Sequence, residues 1–458
     1  MRALGVLFVL LTASGAAAQP ADAVIAIRGV TVIDGTGAPP RPGQTIVIER
    51  GRITLAGADV VVPTDARVVD GAGGFLIPGL WDMHVHRTNP ELAKLYVANG
   101  VTGVRDMFGQ LPYLHGLREK IAAGGVIGPR IVSTGPIVDG KDPIWRGSIE
   151  ATTPEEGRAA VTKLVELEAD FAKVYAKLSP ETHAAILDEA RQRGLPVAGH
   201  IPRSMTATQV SISGQRCIEH MSGFLADCAA PNLAGDRAPE SRSQRIAREA
   251  AAYDPMRAAA LLETLVENGT WVCPTLTVGR AISSLDDPEF TADARVRYMA
   301  PYWVSFWDPA RDFRFKSYTT ADWNAQRQAF ARQKQLVGEM AAAGVRLLAG
   351  TDVGNPYCFP GFGLHDELAL MVEAGLTPAQ ALGAATRDAA EFLGLLDDLG
   401  TVEVGKVASL VLLEANPLDD IRNTTRIAAV LVEGRLFDRV EIEALLRQAD
   451  RSIPRGDK

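Results

Sequence analysis

The segment PGLWDMHVH, residues 78–86, ends on His84 and His86, two of the seven histidines in a chain of 458 residues. Residues i and i+2 of a β-strand point to one face, so a single strand can aim both imidazoles at the same point. Four more residues able to bind metal or move protons close or interrupt short apolar stretches: Lys173 in DFAKVYAKLS, His200 in VAGHIP, His220 in IEHM and Asp352 in LAGTD. Imidazole and carboxylate suit zinc and similar divalent ions. Two such ions about 3.5–4 Å apart can share a water and bring its pKa near neutrality. A lysine ammonium is a poor ligand, but carbamylation by carbon dioxide turns it into an anionic bridging carboxylate. Singly, each residue has a plainer account: a hydrogen-bonded core histidine, a lysine snorkelling to a rim, an aspartate capping a turn. Six at one place favour a shared site, because charged side chains are seldom buried without partners.

A repeated strand–helix unit would bring them together. Between residues 77 and 398, eight strand-like stretches alternate with helical ones, among them TPEEGRAAVTKLVELEAD and SPETHAAILDEARQRG, which open with cap-like Thr-Pro-Glu and Ser-Pro-Glu. This alternation predicts an α/β fold, a (β/α)8 barrel whose active site lies at the C-terminal ends of the strands. Both chain ends read instead as short β-branched strands between glycine turns, over 19–76 and 399–440, followed by a C-terminal helix or tail over 441–458. The barrel is then inserted into a small β-sandwich domain formed by both ends. Two insertions, at about 225–254 and 281–322, interrupt the pattern; the aromatics of the second favour an ordered lid or interface. His115 and His183 fall on helices and read as surface or packing residues, while His365 follows the eighth strand and is a candidate for the mouth.

Composition narrows the function. With 47% hydrophobic and 22% charged residues and a net charge of −8, the chain has no basic run to bind nucleic acid. Residues 1–18 combine Arg2, a short apolar core and a small-residue end, which is the pattern of a signal peptide cut after Ala18. The expected product is secreted, in the periplasm, with no membrane span once the signal is removed. The four cysteines, Cys217, Cys228, Cys273 and Cys358, form no CxxC pair and read as core residues or one disulfide. The partner is a small-molecule substrate, and the sequence leaves a homo-oligomer open.

The quoted motifs, with the tail LHDELALMVEAGLTPAQALGAATRDAAEFLGLLDDLGTVEVGKVASLVLLEANPLDDI, resemble those of the amidohydrolase superfamily over essentially the whole mature chain, nearest its imidazolonepropionase-like and prolidase-like members. The resemblance implies two divalent ions, with zinc expected. It makes His84 and His86 ligands of the more buried ion, Lys173 the carbamylated bridge, and His200 and His220 ligands of the second ion. Asp352 would bind the buried ion and shuttle the proton from the attacking hydroxide to the leaving group. Lys177 is the rival for the bridge; DFAKV matches the family motif and favours Lys173. Related dipeptidases often carry Gly-Gly-His after strand three. Here that region reads STGPIVDGKDPIWRGS, a departure that counts against a dipeptide substrate. Tyr175 shares the face of Lys173 and is a candidate substrate contact, and Arg203 could hold a substrate carboxylate. The leading expectation is a hydrolase of a C–N bond in a small N-acyl amino acid or dipeptide. Lactone or ester hydrolysis at the same centre and a non-catalytic binding role are the alternatives.

Overall fold

The computed structural model describes residues 24–230 and 240–453. The signal-peptide segment and residues 231–239 of the first insertion lie outside the described residues.

Strands from both chain ends share one hydrogen-bonded sheet. Its path runs Arg435–Asp438, Ile427–Val432, Leu410–Leu413, Phe75–Pro78, Ile25–Val32, Arg41–Glu49 and Arg52–Gly57, with Arg67–Asp70 attached to Ile25–Val32. The two ends meet where Leu410–Leu413 runs antiparallel to Phe75–Pro78, Val411 opposite Ile77. Ile25, Ile27, Ile46, Ile48, Leu410, Leu412 and Leu431 gather into one core of its own. β-Branched and leucine side chains on one pleat face bury well against each other, which is why these short segments hold as strands.

The middle of the chain supplies two parallel arrays. In the first, Leu80–Val85 (β1), Val101–Asp106 (β2) and Arg130–Ser133 (β3) lie side by side. In the second, Ala172–Val174 (β4), Val197–Gly199 (β5), Cys217–Glu219 (β6) and Trp271–Cys273 (β7) follow in order, with the two-residue strand Val138–Asp139 beside β4 and Ile149–Glu150 beyond it. The expected eighth strand is not regular. Residues 347–353 make only single parallel bridges, Leu347 to Val272 and Val353 to Val85. Asp352 takes a left-handed φ of 62°, which breaks the extended run. Side chains hold the segment instead: Thr351 N–H and Oγ1–H donate to the Asp82 carboxylate at 3.0 and 2.6 Å, and Asp352 N–H to His84 O at 2.7 Å. Close approach requires Gly350, where a Cβ would lie 2.6 Å from Cys273 Sγ and 2.8 Å from His84 Cβ.

The helix starts follow the sequence. Pro154–Glu166 opens with a Thr153–Glu156 capping box, and Pro180–Gln192 with Ser179 accepting from Thr182 N–H. The first insertion contributes helix Arg242–Ala251. The second is ordered, as its aromatics suggest: Phe315 and Trp323 pack with Leu285, and Trp307 packs with Met299 and Phe359. All four cysteines are buried and unpaired, so the core alternative holds. Among the described residues, no helix is long and apolar enough to cross a membrane.

Candidate metal centre

Parallel strands end on one side, and the six candidate residues sit at those ends. His84 Nε2 lies 3.5 Å from Asp352 Oδ1, His86 Nε2 lies 3.1 Å from the same oxygen, and His220 Nδ1 lies 3.8 Å from Asp352 Oδ2. Lys173 Nζ is 3.5 Å from His84 Nε2. Ring centroids of His84 and His220 are 4.6 Å apart, and those of His200 and His220 4.7 Å. All six therefore converge. Lys177, the rival lysine, is exposed and donates to the carbonyls of Lys141 and Asp142, away from the cluster.

Local backbone strain helps aim these groups. His220 and Thr275 join Asp352 with φ between 48° and 66°, a region costly for residues with a Cβ. Turning at His220 lets its ring enter the cluster although Glu219, one residue earlier, also points inward.

The donors fit a bound cation. His84, His86 and Asp352 each offer a ligand atom, all within 4.8 Å of one another. The Nδ1 atoms of His86 and His200 are buried and have no hydrogen-bond partner among the described residues. Buried polar atoms usually have a partner, and at this cluster of donors a cation or a water would supply it. Burial first, and nearby positive charge second, hold His84 and His200 well below the usual imidazole range, so both rings are available as neutral donors. Burial also works against ionisation of Asp352, but the surrounding imidazoles outweigh it and keep the group an anion. Burial pushes the Lys173 ammonium down to about 8, against the pull of Asp352 and Glu219. Its side chain is 1% exposed.

Three residues that orient the donors escaped the sequence reading: Glu219, Arg105 and Thr275. Glu219 Oε2 accepts from His84 Nδ1 at 2.8 Å, and its Oε1 accepts from Arg105 Nη2 at 2.7 Å. Arg105 also donates from Nε to Met83 O at 2.6 Å, and both residues are fully buried. A hydrogen-bonded Nδ1 fixes the ring so that Nε2 faces the other donors, the usual arrangement behind a metal-binding histidine. The signal for Arg105 and Glu219 was a charge inside an apolar strand, in VTGVRD and in RCIEH. Thr275 Oγ1 plays the same part for His220 Nδ1 at 2.7 Å.

The substrate candidates fare differently. Tyr175 lies over His200 with ring centroids 4.0 Å apart. Arg203 is exposed just beyond Pro202; its N–H donates to Ala176 O at 2.9 Å, and its guanidinium has no ion pair among the described residues. His365 corrects the expectation of a place at the mouth. Its Nδ1 pairs with Thr424 Oγ1 at 2.9 Å and its Nε2 with Asn99 O at 3.0 Å, so it is a buried structural residue. His183 is buried against Gln215 at 3.0 Å, as a packing role implies.

The buried histidines make an acid-sensitivity prediction. Burial lowers His365 to about 4 and sets His84, His200 and His220 below the usual range. Between those values and the unfolded value near 6.5, the unfolded chain binds more protons, so stability falls as pH falls. For His365 alone the loss reaches about 3 kcal/mol near pH 4. Thermal midpoints of metal-free protein should drop from about pH 7 to about pH 5, and less steeply in His365→Gln. A flat profile would contradict the burial argument.

Fold and donors together define an α/β protein with a metal-binding cluster at the carboxyl ends of parallel strands, as in hydrolases that activate water. The amidohydrolase family model matches residues 75–437, and the chain belongs to that family. It is a hydrolase acting on carbon–nitrogen bonds. It is 26% identical over 399 residues to an imidazolonepropionase of Aromatoleum aromaticum, covering 80% of this chain and 84% of that one. A putative prolidase from Bifidobacterium longum is 26% identical, with a TM-score of 0.69, over 93% of this chain and 99% of that one. Bottromycin amidohydrolase shares the fold at a TM-score of 0.74 and 24% identity, over 95% and 91% of the two chains.

Proposed function

We propose that the chain is an exported, metal-dependent hydrolase of the amide bond in a small N-acyl amino acid or dipeptide. One observation carries the reading: four imidazoles, a carboxylate and a buried lysine converge, and two of the imidazoles keep an unpartnered Nδ1. His84, His86 and Asp352 would hold one divalent ion, His200 and His220 a second, and Lys173, as a carbamate, both. Zinc is the expected ion. When bound, such ions supply Lewis acidity, lowering the pKa of water and polarising the scissile carbonyl. Asp352 takes the proton of the attacking water and returns it to the leaving nitrogen, acting first as base and then as acid. Tyr175 borders the substrate beside His200, and Arg203 receives its carboxylate.

The strands are read as a closed eight-stranded barrel. Residues 347–353 hydrogen-bond to β7 on one side and β1 on the other, and Asp170 N–H donates to Ser133 O at 3.0 Å between β3 and β4. Export to the periplasm rests on residues 1–18.

The test takes mature protein loaded with zinc and a panel of N-acyl amino acids, dipeptides and lactones, read by mass spectrometry beside a chelator-treated control. Chelator-sensitive release of a free amine is the expected result. Lactone opening with no amide cleaved would overturn the substrate assignment, and full activity in chelated, metal-free protein would overturn the metal centre.

A further inference from the structure

A run of aromatic rings leads outward from the donor cluster. Tyr175 lies on His200, the Trp145 indole N–H donates to the Tyr175 hydroxyl oxygen at 2.8 Å, and Phe313 meets Trp145 edge-on at 6.4 Å and 72°. Trp145 comes from the loop after β3, the region that lacks a histidine, and Phe313 from the second insertion. Neither ring belongs to any hydrophobic cluster of the described residues, and Phe313 is 65% exposed. The fold therefore makes no use of them as core.

Phe313 is nevertheless held in place. Its neighbours Asp312 and Arg314 are paired at 2.7 Å, Arg314 Nη1 donates to Asn355 Oδ1 at 2.9 Å, and Asn355 N–H donates to Asp352 O at 3.2 Å. Arg87, directly after His86, stacks on Trp303 of the same insertion at 3.6 Å. The insertion is thus tied to the backbone beside two candidate ligands. On the adjacent flank stands Arg203, whose N–H donates to Ala176 O at 2.9 Å, next to Tyr175, and whose exposed guanidinium has no ion pair among the described residues.

We propose that Trp145 and Phe313 form a wall that seats a flat aromatic group of the substrate, so that the site selects N-aroyl amino acids or N-acyl aromatic amino acids bearing a free carboxylate. The inference rests on the amide-hydrolase reading above and adds its substrate class. Edge-on and offset ring contacts reward an aromatic group beyond the area it buries, and the unpaired Arg203 supplies the complementary charge for the carboxylate.

The test compares kcat/KM for N-benzoylglycine and N-acetylphenylalanine with N-acetylleucine and N-acetylalanine, leucine controlling for bulk. At least one aromatic substrate should exceed N-acetylleucine by about tenfold or more. The ratio should fall to within about threefold in Trp145→Ala and Phe313→Ala, while Trp145→Phe, which keeps a ring, should retain most of it. Equal rates for leucine and both aromatic substrates, or a ratio untouched by both alanine variants, would overturn the inference and leave amide hydrolysis standing. Lactone opening with no amide cleaved would instead sink the amide reading. In that case calorimetric binding still decides the wall: phenylbutanoate should bind wild type about tenfold more tightly than hexanoate, and equal affinities would reject it.

Discussion

Asp352→Asn should lower kcat for amide hydrolysis by about 10²–10⁴-fold, the range for removal of a positioned general acid–base. The substitution keeps size and backbone. The left-handed φ of 62° is tolerated by asparagine as well as aspartate, and the N–H to His84 O at 2.7 Å survives. What disappears is a proton acceptor 3.1 Å from His86 Nε2 and 3.5 Å from His84 Nε2. An amide oxygen can still face a cation, so KM should move much less than kcat, which is the signature of a group acting in the transition state. Metal analysis of the same sample separates lost proton transfer from lost metal. A kcat within about threefold of wild type would remove Asp352 from the proposed mechanism.

Much of this site was legible because its residues obey strand arithmetic. His84 and His86 share a face by spacing alone, and Lys173, His200, His220 and Asp352 each stand in or just after an apolar stretch of the right length. The capped starts at Thr153 and Ser179 could be read locally, because a cap and its partner lie within one helical turn. The shared sheet of the two chain ends was legible as matching texture, though not its register, which depends on pairing Val411 with Ile77 across more than half the chain.

The misses have physical causes. His365 was a candidate for the mouth because it follows the eighth strand, but within helix Phe362–Ala374 its ring is turned toward Asn99 and Thr424. The eighth strand looked regular because LLAGTD is apolar and β-like; the φ at Asp352, set by the long-range bonds of Thr351 to Asp82, interrupts it. Trp145 stands in a loop, where no periodicity exists to say which residue it will meet. Glu219 was hidden by alternation itself. Next to His220, Glu219 should face away from it, and only the backbone turn at His220 lets both point inward.

Glu219→Gln should therefore weaken metal binding by about 10–100-fold, the cost of losing an outer partner of a liganding histidine. Arg105 remains cationic and keeps the amide oxygen of the new glutamine as acceptor, where it now holds Glu219 Oε1 at 2.7 Å. The amide NH2 then faces His84 Nδ1, 2.8 Å away from the present carboxylate oxygen. Two donors cannot share that contact, so the ring either loses its bond or moves its proton to Nε2, the nitrogen aimed at Asp352 and Lys173. The same change leaves the buried guanidinium without its anion, and removing one partner of a buried pair costs about 3–5 kcal/mol. Combining Glu219→Leu with Arg105→Met tests which effect dominates. Deleting both charges should recover most of the lost thermal stability, since a buried pair replaced by apolar side chains is often neutral. It should not recover metal affinity, because His84 Nδ1 still lacks its acceptor. Metal titration and thermal melts of the single and double variants read the two separately. Wild-type affinity in Glu219→Gln would show that His84 orients without Glu219; affinity restored together with stability in the double variant would reduce the pair to a packing role.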